Sequence, residues 1–225
     1  MAIAQPGVRY LLKPVSEGIH SRCAARCLAV ALAWASLGVP SAKAATPTPV
    51  PANVQALMAP GDTVLAFQPA KPFGPDAAGG ALVVRHAQPA LSTGNACELW
   101  LLRTTGATYA VTTKNGEVVD CRYNESAKNA GPMALNHNLT ASPTSVSYFN
   151  ELPRGGTTYA FAWDAQKHVW HLQHVEATSV ENGESGAIVS KSVLDYPVTL
   201  PWLTMDAFSP KAIREALHTH RAVVH

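Results

Sequence analysis

Three of the chain's nine histidines, His168, His171 and His174, crowd into the stretch KHVWHLQHVE, a density that invites a metal centre. The residues around them argue for a strand instead. Side chains on a strand alternate faces, so His168 and His174 point one way and His171 the other. The first two are then about 20 Å apart at ~3.3 Å per residue, and one zinc ion holds its ligands at ~2.0–2.1 Å. The run therefore reads as a half-buried strand, with Trp170 and Leu172 on its apolar face and His171 and Gln173 on its exposed face. No metal and no cofactor are expected, and His218, His220 and His225 read as a solvated tail.

Arg85 and His86 offer different chemistry. They are adjacent at the end of an apolar run, in LVVRHAQP. A neutral imidazole can accept a phosphoryl group while a guanidinium holds the equatorial oxygens, so the pair defines one enzymatic alternative. The sequence has no G-x-S-x-G, no H-E-x-x-H and no glycine-rich phosphate loop. Asp76 is followed by Ala-Ala-Gly-Gly and lacks the spaced oxygens of a calcium loop. Tyr159, Phe161 and Trp163 share one strand face, which suits a core or a surface on which a sugar or peptide stacks. In LDYPVTLPWL, Pro197 and Pro201 bar a central strand. Tyr196, Trp202 and Phe208 therefore belong to an extended segment that packs across a sheet or offers an apolar patch to a partner.

The elements that must position these groups are mostly strands. Candidates are Thr63–Phe67, Ala81–His86, Glu98–Arg103, Thr108–Thr113, Glu117–Tyr123, Thr157–Trp163, His168–Val175, Ala177–Val180 and Ala187–Val193. Asn115-Gly116 favours a type I′ hairpin between the fourth and fifth of these. Asp164–Lys167 and Asn182-Gly183 supply two further turns. Helix is expected only as one turn near Val54 and at the C-terminus, where Ser209 is a candidate N-cap and Pro210 opens the helix. The fold class is all-β: antiparallel sheet of about eight or nine strands, as a sandwich, barrel or partial propeller, with a short C-terminal helix.

Cys97 and Cys121 are expected to pair, although a simple meander resists it. With Cys121 on a strand at 117–123, the middle strand would hold the two cysteines about 9–10 Å apart, whereas a disulfide needs Cα atoms within about 6.8 Å. Either Cys97 lies in a loop that folds back at Gly94-Asn95, or the strand order is not sequential.

The N-terminal region bears on compartment. Arg9, Lys13, Arg22 and Arg26 precede the apolar run CLAVALAWASLGV, and Ser41-Ala42-Lys43-Ala44 supplies an A-x-A site. That run is too short for the ~20 residues of a spanning helix, so residues 1–44 read as a signal peptide cleaved after Ala44. The long stretch ahead of the run suggests a start codon downstream of Met1. Five of the 17 basic residues and one of the 15 acidic residues lie in 1–44, leaving twelve against fourteen. The remainder is mildly acidic, which gives no reason to expect nucleic acid as a partner. Residues 45–60 form a Pro/Thr-rich lead-in, 61–208 the β-rich domain, and 209–225 the C-terminal helix and tail. No later stretch is apolar enough to cross a membrane, and the expected location is periplasmic or secreted.

Two family resemblances add expectations. LVVRHAQP resembles the strand-end signature of the histidine phosphatase family, which implies His86 as nucleophile and Arg85 as phosphate clamp. The family's second histidine before glycine is missing, and no further arginine can be assigned to the pocket. The stretch GTTYAFAWD…WHLQHVE is similar to the closing hairpin of exported bacterial β-sheet and propeller-like proteins that act as lysozyme inhibitors or immunity proteins. That resemblance implies a non-enzymatic binding or inhibitor module acting on an envelope or extracellular protein or glycan. The leading expectation is such a module, and the alternative is a phosphoryl hydrolase.

Overall fold

The run Gly79–Arg85 (β2) is apolar at nearly every position because both of its faces are covered. It is a central strand of a four-stranded antiparallel sheet with Thr63–Ala70 (β1), Cys97–Thr105 (β3) and Thr108–Asn115 (β4), in the order β1-β2-β3-β4. A computed structural model describes residues 49–184 and 186–224. The expected signal peptide at 1–44, the first residues of the lead-in and His225 lie outside the described residues.

A second antiparallel sheet holds Leu139–Ala141 (β5), Ser145–Leu152 (β6), Gly155–Asp164 (β7), Val169–Gly183 (β8), Gly186–Asp195 (β9) and Arg221–Val224 (β10). Its order is β10-β9-β8-β7-β6-β5. Strand alternation explains how the layers meet. Ala81 and Val83 of β2 and Cys97, Leu99 and Leu101 of β3 face inward, and join Val146, Tyr148, Tyr159, Phe161, Leu172 and Leu194 of the second sheet in one buried core. The intervening residues Leu82, Val84, Trp100 and Leu102 face the other way. There they pack with Val54, Leu57 and Met58 around the single turn Ala52–Gln55 (α1). The expected all-β class is what the chain adopts, with ten strands among the described residues and neither sheet closed into a barrel.

A bulge in β1 between Val64 and Ala66 turns Leu65 inward beside Ala66. The carbonyls of Val64 and Leu65 accept the N–H groups of Met133 and Leu135, which ties the 131–138 segment to the edge of the sheet.

The hairpin expected at Asn115-Gly116 does not form, and 117–123 is not a strand. β3 and β4 are joined one turn earlier, at Gly106-Ala107, with Thr105 opposite Thr108 and Gly106 at φ 64°. Asn115 is instead a buried cap: its Oδ1 accepts from the N–H groups of Glu117 and Val118, and its Nδ2 donates to the carbonyls of Met205 and Phe208. The segment that follows is held by asparagine side chains in place of a ladder. Asn95 Nδ2 donates to the carbonyls of Gly116 and Val119, both at 2.7 Å, and its Oδ1 accepts from Cys121 N–H at 3.0 Å. Asn150 bonds Val118 and Asp120 from the opposite sheet. Because 117–123 never pairs as an outer strand, the geometric objection to the disulfide disappears, and the Cα atoms of Cys97 and Cys121 lie 5.6 Å apart.

Several further elements, β5 and the 3-10 turn Asn136–Asn138 among them, were not expected. Glu125–Asn129 (α2) is capped by Asn124, whose side chain accepts from Ala127 N–H. β6 carries a short alternation, Val146 and Tyr148 inward against Ser145 and Ser147. β10 lies where a tail was expected, after the Ser209-capped 3-10 turn Pro210–Ile213 and the helix Arg214–Thr219 (α3). No helix among the described residues is long and apolar enough to cross a membrane.

Candidate ligand-binding cleft

The pleat of β2 sends Arg85 and His86 to opposite sides of the sheet. Arg85 Nη1 donates to the carbonyls of Lys128 and Ala130, at 2.7 and 2.8 Å, where it closes the C-terminal end of α2. His86 lies on the outer side between two carboxylates: Nδ1 is 2.9 Å from Asp62 Oδ2, and Nε2 is 3.1 Å from Glu98 Oε2. Trp100 Nε1 donates to the same Glu98 oxygen at 2.7 Å. Burial pushes the Glu98 pKa up, but the hydrogen bonds from Trp100 and His86 and the charge of Lys114 outweigh it, and the net shift is below the ordinary 4.5. A phosphoryl-accepting histidine needs a free nitrogen and a cationic pocket. Here both nitrogens are engaged, the nearest charges are negative, and the expected clamp serves another loop.

The His168–His174 run disperses its three rings. An irregularity at Gln173 interrupts the β8 register, pairing Leu172 with Phe161 and His174 with Ala160. His174 Nδ1 is 2.7 Å from Asp195 Oδ1. His171, expected on an exposed face, is buried, because the strap from Tyr196 to Met205 runs beside it. The strap bonds β8 where β9 has ended: Leu172 N–H donates to Leu203 O, and Met205 N–H to Trp170 O. Trp202 stacks on the His171 ring at 4.4 Å, and Lys167 Nζ sits 3.3 Å from the Trp202 centroid. At those separations the two groups must occupy opposite faces of the indole. Tyr196 closes edge-on to both rings. Phe208 is no surface residue, since it is 2 % exposed and packs on Tyr159 and Phe161. Of the expected binding trio Tyr196, Trp202 and Phe208, then, the first two engage each other and His171, and the third is core.

The cleft with open chemistry lies at one end of the space between the sheets. The alternation that buries Leu99 and Leu101 places Arg103 on the same inner side of β3, beyond the last core residue. Trp163 likewise follows Tyr159 and Phe161 on β7 and stays half-buried. Thr113 lies opposite Leu101, beside a bulge at Thr112 in β4. The turn Phe73-Gly74-Pro75-Asp76 forms a third wall, closed by reciprocal backbone bonds between Phe73 and Asp76. Its Gly74 has φ 55°, and a Cβ there would meet Trp170 Cζ2 at 3.0 Å, so only glycine lets this turn lie against the indole. His168, at φ 53°, completes the rim from the β7–β8 turn, its ring edge-on to Trp163.

The resulting cleft measures about 220 Å³. Its floor is aromatic: Trp163 and Trp170 lie 5.7 Å apart, and Phe73 lies 5.0 Å from Trp170. Its rim is polar. The side chains of Asp76, Arg103, Thr113 and His168 line one space and bond no other protein group among the described residues; Arg103 and His168 are exposed, Asp76 and Thr113 half-buried. Such a group of free donors and acceptors over a π-face can hold a small polar ring. Of these residues the sequence singled out Trp163 as a core or stacking residue, His168 and Trp170 as members of the histidine-rich strand, and Asp76 only to set aside a calcium loop. Arg103 and Asp76 carry no local signal, since only long-range pairing brings them to the aromatic row.

The class defined by this fold and cleft is an all-β, disulfide-bearing protein of two open antiparallel sheets. Compared with family models, curated proteins and solved structures, the chain matches none.

Proposed function

We propose that the chain is an exported, non-enzymatic binding module of the cell envelope, and that its ligand enters the cleft around Trp163. The observation that carries the reading is the cluster of unpartnered polar side chains, Asp76, Arg103, Thr113 and His168, about a half-open indole. The cleft is smaller than the roughly 300–1,000 Å³ that encloses a drug-sized ligand, so it suits one ring or one terminal residue of a longer chain. The Cys97–Cys121 bridge fits an oxidising compartment, in keeping with export from a leader at 1–44.

The test is binding by the purified protein, followed by amide chemical shifts against solubilised envelope glycan and peptide fragments. Shifts clustered on Trp163, His168 and the Phe73–Asp76 turn are expected. Trp163→Ala should abolish them while the protein still unfolds cooperatively. Shifts mapping to the His171–Trp202 face, or surviving Trp163→Ala, would remove the cleft from the reading.

A further inference from the structure

We infer that the ligand of this cleft is a carboxylated pyranose, such as a uronic acid residue of an envelope or extracellular glycan. The inference rests on the binding reading above and narrows its chemistry. Each wall makes a separate demand. Half-buried Trp163 lines the cleft with its indole, an apolar ring that suits the C–H face of a sugar. Arg103 has five N–H donors and no acceptor, in a planar fork that matches a carboxylate through two parallel bonds. A lone hydroxyl would use only part of that fork.

Asp76 is acceptor-only when ionised, so the ligand must bring donors on that side, as vicinal hydroxyls do. Arg103 and Asp76 line one cleft without forming an ion pair. Together they suit a ligand that carries acceptors at one end and donors at the other. Thr113 and His168 can serve either kind of hydroxyl contact. A carboxylate on a polyhydroxylated ring meets all these demands in one molecule of the right size. A phosphate ester would also suit Arg103, but a dianion meets more repulsion from Asp76 than a single carboxylate does.

The probes are glucuronate and glucose, which share a ring and differ at one carboxylate, titrated calorimetrically into the wild type, Arg103→Gln and Trp163→Phe. Glucuronate is expected to bind the wild type at least about tenfold more tightly than glucose, the least a charge-assisted bond to Arg103 contributes. Arg103→Gln should erase that preference, weakening glucuronate far more than glucose. Trp163→Phe keeps a ring in place and should weaken both sugars alike. Equal affinity for the two sugars in the wild type would overturn the carboxylate assignment and leave single-ring binding intact. No binding of either sugar, with shifts at Trp163 from a peptide fragment, would overturn the sugar class. Silence from all ligands at Trp163 would overturn the binding reading as well.

Discussion

Replacing Asn95 with alanine should be among the most damaging single changes outside the apolar core. The side chain is 3 % exposed and bonds the carbonyls of Gly116, Val119 and Cys97 and the N–H of Cys121. Alanine strands at least three of those backbone groups in a dry interior, at about 1–3 kcal/mol each. Partial relaxation and water entry make the sum smaller than its parts, and a loss of about 3–5 kcal/mol is expected. That is a large share of the roughly 5–15 kcal/mol typical of a folded domain. The disulfide braces the same loop. For a sequence separation of 24 residues, chain entropy assigns it about 3.5 kcal/mol. Two braces on one loop should not add: once either is gone, the loop is already loosened. Urea unfolding of Asn95→Ala, the Cys97→Ser/Cys121→Ser double variant and their combination measures this as a cycle, with an expected coupling of at least about 0.5–1 kcal/mol. A loss below about 1 kcal/mol for Asn95→Ala, or strict additivity across the cycle, would refute the claim that side-chain bonds replace a β-ladder at 116–121.

Other consequences are equally open to measurement. Glu98 is held below its ordinary 4.5 in the folded state, so its contribution to stability is complete above that value and is lost as pH falls through the lower folded pKa. Trp100→Phe removes one of the bonds responsible, and acid unfolding should then begin at higher pH; an unchanged acid limb would contradict this. Burial, helped by the charge of Asp120, pushes the Tyr159 phenol up to about 12. The stability this represents persists below pH 10 and is lost as pH rises through 12, so absorbance titration should show Tyr159 ionising late and with unfolding. Gly79→Ala drives a Cβ into Leu102 O of the neighbouring strand, which should cost about 2–3 kcal/mol by overpacking; a neutral result in thermal melts would show that β2 and β3 can part there. Protein recovered from cells expressing the full chain should begin at Ala45 by mass, and a mature form still beginning at Met1 would contradict the signal-peptide reading.

How far the fold could be read from the sequence depended on whether a local signal had a competitor. Strands such as Ala81–His86 and Thr157–Trp163 were legible because an apolar run or a strict alternation admits few other fates. The turn at Asp164–Lys167 was legible too, since Asp164 takes the backbone N–H groups of Lys167 and Gln166, which also hold its carboxyl below the usual range. Asn115-Gly116 misled for a physical reason. The dipeptide that favours a type I′ turn also carries an amide able to cap a buried loop. The carbonyls of Met205 and Phe208, some ninety residues away, drew the amide to the second role. The turn at Gly106-Ala107 falls between the expected strands 98–103 and 108–113, on an ordinary positive-φ glycine. β10 was hidden because all four of its side chains are exposed and only its partner β9 makes it a strand.

The site was legible only in part, and the comparison of two tryptophans shows why. Trp202 stands out in the sequence because two prolines bar its segment from a central strand, yet its two faces are taken by His171 and Lys167 and its neighbours complete the stack. Trp163 looked like the last residue of a core row, and along β7 it is. Its difference lies across the cleft, where a strand of the other sheet delivers Arg103 and a glycine-dependent turn delivers Asp76, neither satisfied by the other. The property that separates a stacking platform from a structural indole is therefore the unspent hydrogen-bonding capacity facing it. Its charged members, Arg103 and Asp76, lie 60 and 87 positions away in the chain. Trp163→Ala and Trp202→Ala test the distinction together: the first should remove ligand binding at modest cost to stability, and the second should lower the unfolding midpoint and leave binding in place.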